Sequence, residues 1–347
     1  MIPYIFLFGI IIFLYIPLHD GEKNIKIYCL ICFFTLAIVA GLRNENLGLT
    51  DTVYVYKKTF YRIMDNDFAY MLTLKDYGFQ ILTFIFTRIC GDNFKLYCLL
   101  FTMPYIGAIS FMIYRYSSNK CLSFIVFMCL HYYEISFTLM RQICGMAILC
   151  LALHLFLEKR YKGYTFCVLL ASLFHPICIL FITIFVVKFF KFKKWMFVPL
   201  LVILFFVLFR PRWILNFVYT YLVSAERFTR YARIDSSKNL MLFIINLTLW
   251  SAELLALKKI RYDEKKMMLF MSVTICLIIS PLTVALGEMS RIAYLFGMAH
   301  VILLPDYLYA FKKGINRKIA RVGTGMVLII YFLFFLGPQV NIIPYYM

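Results

Sequence analysis

Three arginines stand at the borders of apolar runs. Arg43 closes the run 27–42, Arg141 opens the run Gln142–Leu157, and Arg291 follows the short link Gly287-Glu288-Met289-Ser290. A planar guanidinium stays charged at any relevant pH and offers a fork of donors that matches phosphate oxygens. Ionisable groups at membrane depth are costly and therefore mark function by default. Three of them at one depth would hold a pyrophosphate; the plainer alternative is that each snorkels to headgroups or pairs with a nearby acid. For Arg141 the nearest acid in sequence is Glu134, seven residues earlier. His175 lies between Phe174 and Pro176 in an otherwise apolar stretch, either as a hydrogen-bonded core histidine or as a base at a helix break. Asp51, eight residues past Arg43, is the second candidate base, or else an N-cap acid. Among the nearby aromatics, Tyr54, Tyr56, Phe60 and Tyr61 offer faces to sugar rings, although interfacial belts need aromatics too.

Other chemistries lose support. The sequence has no Walker-type loop, GxGxxG, GxSxG or HExxH. Asp65-Asn66-Asp67 resembles a metal-holding DxD but reads more simply as a solvated loop, and the five histidines are dispersed without ligand spacing, so no metal site is expected.

These residues must be positioned by membrane helices. The chain is 63% hydrophobic and 15% charged, whereas a soluble domain is about half apolar and about a quarter charged. Spans need about 20 apolar residues. Ten runs qualify: 2–18, 27–42, 95–114, 121–138, 141–157, 195–209, 240–257, 267–285, 292–311 and 322–340. Tyr77–Cys90 is short and carries Arg88, and 164–187 is interrupted by His175-Pro176. The expected fold is an all-α polytopic membrane protein of about 10–12 hydrophobic segments, with re-entrant or broken helices, forming a single membrane-embedded domain over 1–347. The first run lacks a basic n-region and a cleavage site, so it reads as a retained helix.

The net charge of +19 is spread over short clusters between apolar runs, a pattern of membrane anchoring and anionic lipid contact, not of nucleic-acid binding. Placing Arg115/Lys120, Lys159/Arg160/Lys162, Lys188–Lys194, Lys258–Lys266 and Lys312–Arg321 on the cytoplasmic side has two consequences. The stretch 164–187 becomes two half-helices meeting near His175-Pro176, since proline breaks helices and such breaks survive only beside a cavity. The stretch 77–90 must not cross fully. Outward loops then run over about 43–76 and 210–239. Both are rich in Lys and Arg, which points to a polyanionic ligand, with Arg227 and Arg230 as binding candidates.

Gly41-Leu42-Arg43, Gly48, Asp51-Thr52, Tyr54 and Phe60 resemble the GLR…G.DT..Y…F signature of the EpsG-like group of Wzy-type polysaccharide polymerases. The resemblance continues through Gly78-Phe79, Arg141-Gln142 with Gly145 and Ala147, Ala171-Ser172-Leu173-Phe174-His175-Pro176, Ser290-Arg291-Ile292-Ala293-Tyr294 and Leu304-Pro305. It departs at Asp76-Tyr77, where the group usually has Glu-Pro, leaving the role of that acid open. The resemblance implies a multi-pass protein of the bacterial plasma membrane that works at its outer face. A growing glycan would pass from undecaprenyl pyrophosphate to the non-reducing end of a lipid-linked repeat unit, with no cofactor, nucleotide sugar or metal. Partners would be that lipid-linked oligosaccharide, membrane lipids and a chain-length regulator. Asp51, His175 and Arg141 are then the catalytic candidates, and Arg43, Tyr54, Arg227, Arg230 and Arg291 the substrate-binding ones. An O-antigen ligase, a membrane acyltransferase and a transporter are the competing classes.

Overall fold

The structure, a computed structural model, describes residues 2–47, 52–74, 76–187, 197–211, 213–214, 240–284, 286, 289–343 and 345. Every regular element among them is helical. Six stretches are long and apolar enough to cross a membrane: Glu22–Gly41, Phe94–Tyr116, Met140–Leu157, Glu264–Val284, Met289–Ala310 and Ile315–Gln339. The expected polytopic all-α architecture is therefore what the chain adopts. It forms two compact units, Met1–Phe181 with Phe311–Met347, and Ile182–Ala310.

The first unit holds most of the residues of interest. It opens with α1 (Ile2–Leu18) and α2 (Glu22–Gly41) and continues after residue 51 with a π-helical turn, Thr52–Lys57, that runs into α3 (Lys58–Met64). Then follow α4 (Phe68–Leu72), α5 (Tyr77–Cys90), α6 (Phe94–Tyr116), α7 (Lys120–Cys129), α8 (Ile135–Thr138), α9 (Met140–Leu157) and α10 (Tyr161–Ser172). Asparagine side chains start two of these: Asn93 Oδ1 accepts from Leu96 N, and Asn119 Oδ1 from Leu122 N, both at 3.0 Å. Each satisfies one of the orphan donors of a helix N-terminus.

Contacts along the helices fix their directions. Gly41 meets Leu99 and Gly107 meets Phe33, so α2 and α6 run antiparallel. At Gly41 the approach is so close that a Cβ would lie 2.6 Å from Leu99 Cα. Small residues at helix crossings serve this purpose in membranes, where packing rather than water exclusion drives association. Tyr116 Oη lies 2.6 Å from His154 Nδ1 and the Phe111 ring packs on His154, so α6 and α9 run parallel with their C-termini together. Their N-termini consequently share the other end of the bundle.

That geometry settles α5. Its first end is tied to the N-terminus of α9 through Asp76 and Arg141. Its second end turns at Gly91, in the left-handed region at φ 56°, straight into the N-terminus of α6. Both ends return to the same end of the bundle, so this 14-residue helix, about 21 Å long, lies across that end without crossing to the other. Phe79, Thr83 and Thr87 face inward, while Ile81, Ile85 and Ile89 are exposed on the opposite side.

The interrupted stretch also behaves as expected. α10 stops at Ser172, the chain turns over 173–175, and a 3-10 segment Pro176–Thr183 follows. The Tyr164 hydroxyl donates to the Phe181 carbonyl, so the two arms run back alongside each other as a broken-helix hairpin. The run 121–138 differs from expectation. It is not one span: α7 ends at Cys129, His131 takes a left-handed φ of 63°, and only a short α8 follows. The freed backbone is satisfied inside the protein: the Tyr132 carbonyl accepts from the Tyr105 hydroxyl at 2.9 Å, while the Tyr133 hydroxyl of the same segment donates to the Leu36 carbonyl. Irregular backbone at membrane depth requires such partners.

In the second unit, buried polar groups tie the helices together. Glu253, in the helix Leu240–Leu255, meets His300 at 2.8 Å with both side chains fully buried, and Lys266 meets Asp306 at 2.7 Å. The Trp250 indole N–H donates to Thr274 Oγ1 at 2.9 Å.

The α2–α6 contact yields a stability prediction. Gly41→Val should separate the helices and cost about 1–3 kcal/mol, lowering the thermal midpoint of the detergent-solubilised protein. Gly323→Ala, where a Cβ meets nothing within 4 Å, should hold or slightly raise it. Equal midpoints for both variants would contradict the close approach.

Candidate functional site

The end of the first unit where α2 stops and α6 and α9 begin gathers the motif residues. Arg43, two residues beyond α2, is buried at 2% exposure. Its Nη1 donates to the Ala40 carbonyl, and its Nη2 donates to the Phe137 carbonyl at 2.6 Å. The guanidinium also lies over the Phe137 ring, 4.9 Å from its centroid. The Phe137 carbonyl accepts a second bond, from Thr52 Oγ1 at 2.7 Å. This carbonyl is available because the chain is not a continuous helix there: Leu139, which follows α8, leaves helical geometry at ψ 53°. One oxygen thus joins the end of α2, the π-helical turn and the entrance to α9. Burial lowers the pKa of Arg43 from its ordinary value, but a guanidinium keeps its charge. Its Nε is buried without a partner.

Arg141 is held differently. It sits in the first turn of α9 with its side chain about one-third exposed, and Nη1 reaches Asp76 Oδ2 at 2.6 Å. Tyr56, buried in the π-helical turn, also bears on this guanidinium. Asp76 adopts a left-handed φ of 63° at the start of α5 and makes no capping bond with its side chain, which is turned to Arg141 instead. Glu134, the sequence neighbour expected to pair with Arg141, instead meets His131 at 3.0 Å. The helix break at 130–134 brings those two together, while α5 carries Asp76 to the N-terminus of α9. Since the Arg43 fork is occupied by two carbonyls, Arg141 is the guanidinium of this pair with a face open to a ligand.

The turn containing His175 belongs to the same end. Gly78 N donates to the Leu173 carbonyl at 3.0 Å, and a Cβ on Gly78 would press on Leu173 and Phe174. On the other side, a Cβ on Gly145 would lie 2.5 Å from Cys178 Sγ. The glycines of the Gly78-Phe79 and Arg141-Gln142 motifs therefore clamp the turn between α5 and α9. His175 is half-buried, its backbone N–H on Ala171 and its carbonyl accepting from Cys178.

The remaining candidates are dispersed or outside the described residues. Tyr54 is 63% exposed, with the Lys58 ammonium over its ring at 5.6 Å. Phe60 is fully buried against Phe94 and Tyr97, and Tyr56 packs on Phe79, so these two form core instead of open stacking faces. Asp67 accepts from Tyr70 N at 2.9 Å as the cap of α4, as a loop residue would. Arg291 is half-buried near the start of the helix Met289–Gly297 in the second unit. Asp51, Arg227 and Arg230 lie outside the described residues. Sequence reasoning did not foresee Thr52, Asp76 or the Phe137 carbonyl as site-building groups. Thr52 and Asp76 had a signal, since Thr52 belongs to the quoted signature and Asp76 stands where the group has an acid; the carbonyl had none.

A cavity of about 220 Å³ opens beside Arg43, between residues 43–45 and 92–95. A second, of about 600 Å³, lies toward the opposite end of α2 and α6, lined by Lys26, Phe33, Gly107, Arg115 and others, and none of the residues singled out for chemistry borders it.

Fold and site together define a polytopic helical membrane protein in which Arg43 and Arg141 are gathered at one end of the first unit by broken helices. The chain belongs to the EpsG family, the family of Wzy-like polysaccharide polymerases, which it matches over residues 26–347. No curated protein and no solved structure matches it.

The two arginines should respond differently to substitution. Arg43→Ala leaves a buried carbonyl network short of a charged donor and should cost about 2–3 kcal/mol, seen as a lower thermal midpoint. Arg141→Ala, at a half-open ion pair, should leave the midpoint within a few degrees while abolishing polymer in cells. Polymer production by Arg141→Ala at normal expression would remove Arg141 from the site.

Proposed function

We propose that this protein polymerises lipid-linked repeat units at the outer face of the bacterial plasma membrane. The observation that supports this best is the open-faced Arg141, fixed by Asp76 and Tyr56, beside the clamped His175 turn and the buried Arg43 node. Family membership sets the broad reaction as polymerase-like; the arrangement of charges suggests how it is performed.

In the proposed step, the bond between the anomeric carbon of the growing glycan and its carrier phosphate oxygen breaks. The electron pair leaves on undecaprenyl pyrophosphate. A hydroxyl at the non-reducing end of the acceptor repeat unit forms the new glycosidic bond, and its proton passes to a base. Arg141 meets the charge that develops on the departing pyrophosphate. A fixed cation in a water-poor site stabilises such charge without reorganising. Asp76 keeps the guanidinium fork oriented. The acceptor hydroxyl needs a base within hydrogen-bond reach, and His175 and Asp51 both remain candidates. Pyrophosphate is already a good leaving group, so this route calls on no nucleotide and no metal. The basic loop with Arg227 and Arg230, together with Arg291, would assist with the anionic carrier, and a chain-length regulator would act on the product.

Purified protein in lipid nanodiscs should elongate synthetic lipid-linked repeat units without nucleotide or divalent metal. Arg141→Ala should slow elongation by about 10²–10³-fold, with little recovery in Arg141→Lys, because the fork is lost. His175→Ala should lose about 10²–10⁴-fold if it is the base. Elongation that needs an added metal would bring Asp65 and Asp67 back and overturn this mechanism. Transfer to a lipid A core in place of elongation would make the protein a ligase.

A further inference from the structure

The cavity beside Arg43 has a composition unlike that of a phosphate site. Its floor is Arg43, Phe94 and Cys98, all buried, and its rim is Asn44, Glu45, Asp92, Asn93 and Lys95. Formal charges at the lining cancel, with Arg43 and Lys95 set against Glu45 and Asp92. Glu45 also pairs at 2.7 Å with Lys57, which does not line the cavity. The Arg43 fork that would grip a pyrophosphate is already on the Ala40 and Phe137 carbonyls, and the Asp92 carboxylate at the rim repels an anion. The Nε–H of Arg43 has no accessible surface, so a ligand in the cavity meets the rim groups instead.

The other groups are of the kind that bind vicinal hydroxyls. Asn44 and Asn93 use their side-chain oxygens on the backbone N–H groups of Asn46 and Leu96, which turns the amide NH₂ groups into the available donors. The exposed Asp92 carboxylate supplies acceptors. Ligand pockets for drug-sized molecules run from about 300 to 1,000 Å³, so a space of about 220 Å³ suits a single ring, not an oligosaccharide.

We propose that this cavity is a subsite for one uncharged, hydroxyl-rich sugar ring of the lipid-linked repeat unit, separate from the pyrophosphate contact at Arg141. This rests on the polymerase reading for the identity of the ligand, but binding can be measured without turnover. Full-length protein in nanodiscs would be titrated with a panel of methyl pyranosides of glucose, galactose, mannose and their N-acetylated amines, read by saturation-transfer NMR. At least one should show transfer. Asp92→Ala, at an exposed position whose loss leaves the fold intact, should weaken that binding about tenfold, the loss of one charged hydrogen bond. Arg141→Ala should bind the glycoside as wild type does even though it cannot polymerise. Inorganic pyrophosphate should not compete. No transfer from any member of the panel, transfer indifferent to Asp92→Ala, or competition by pyrophosphate would each overturn the subsite. Elongation by the wild-type protein in the same nanodiscs would still uphold the polymerase reading in those cases.

Discussion

A guanidinium buried at the end of a membrane helix cannot stay there without compensation, and that of Arg43 draws it from backbone. Ala40 supplies a carbonyl left over at the end of α2, and Phe137 supplies one released by a helix break. The same Phe137 oxygen takes the Thr52 hydroxyl. Residues from the end of α2, the π-helical turn and the distant entrance to α9 therefore meet on one atom. Removing the charge would take one of two donors from the Phe137 carbonyl in the irregular stretch 130–139, where backbone at depth needs partners. Restoring a continuous helix there would remove the carbonyl that holds the charge. Each feature supports the other.

From this node the rest of the site follows by short steps. Phe137 lies just before α9, so anchoring it sets where α9 begins and where Arg141 projects. The π-helical turn that starts with Thr52 carries Tyr56 to the Arg141 guanidinium and delivers α3 to pack on α5. The first residue of α5's approach, Asp76, then completes the hold on Arg141. Gly78 and Gly145 let backbone and sulfur approach where a methyl group would intrude, which locks the His175 turn against both helices. Arg43 is thus the organiser, and Arg141 is the cation left partly exposed.

Much of this was legible in the residues themselves. Long apolar runs gave most of the helices, because a bilayer demands length and hydrophobicity and little else. Arg43, Arg141 and His175 stood out because polar groups inside apolar runs are expensive. The hairpin at 173–175 and the transverse course of α5 followed from counting basic loops, and the contacts agree. The break after Cys129 carries no proline or glycine to mark it, and its signal was the polar pair His131 and Glu134 inside the run 121–138. The Phe137 contribution is a backbone oxygen, which leaves no side-chain signature. The partner of Arg141 lies 65 residues away, and proximity along the chain favoured Glu134, which the break turns toward His131 instead.

The most direct test is a cryo-EM structure of the protein bound to an undecaprenyl-pyrophosphate-linked repeat unit in nanodiscs. The pyrophosphate should lie within hydrogen-bond distance of Arg141, with Asp76 still paired to it and Arg43 still donating to the Ala40 and Phe137 carbonyls. A pyrophosphate bound at the opposite end of the bundle, near Lys26 and Arg115, or an Arg43 that abandons both carbonyls to grip the phosphates, would contradict the division of roles between the two arginines.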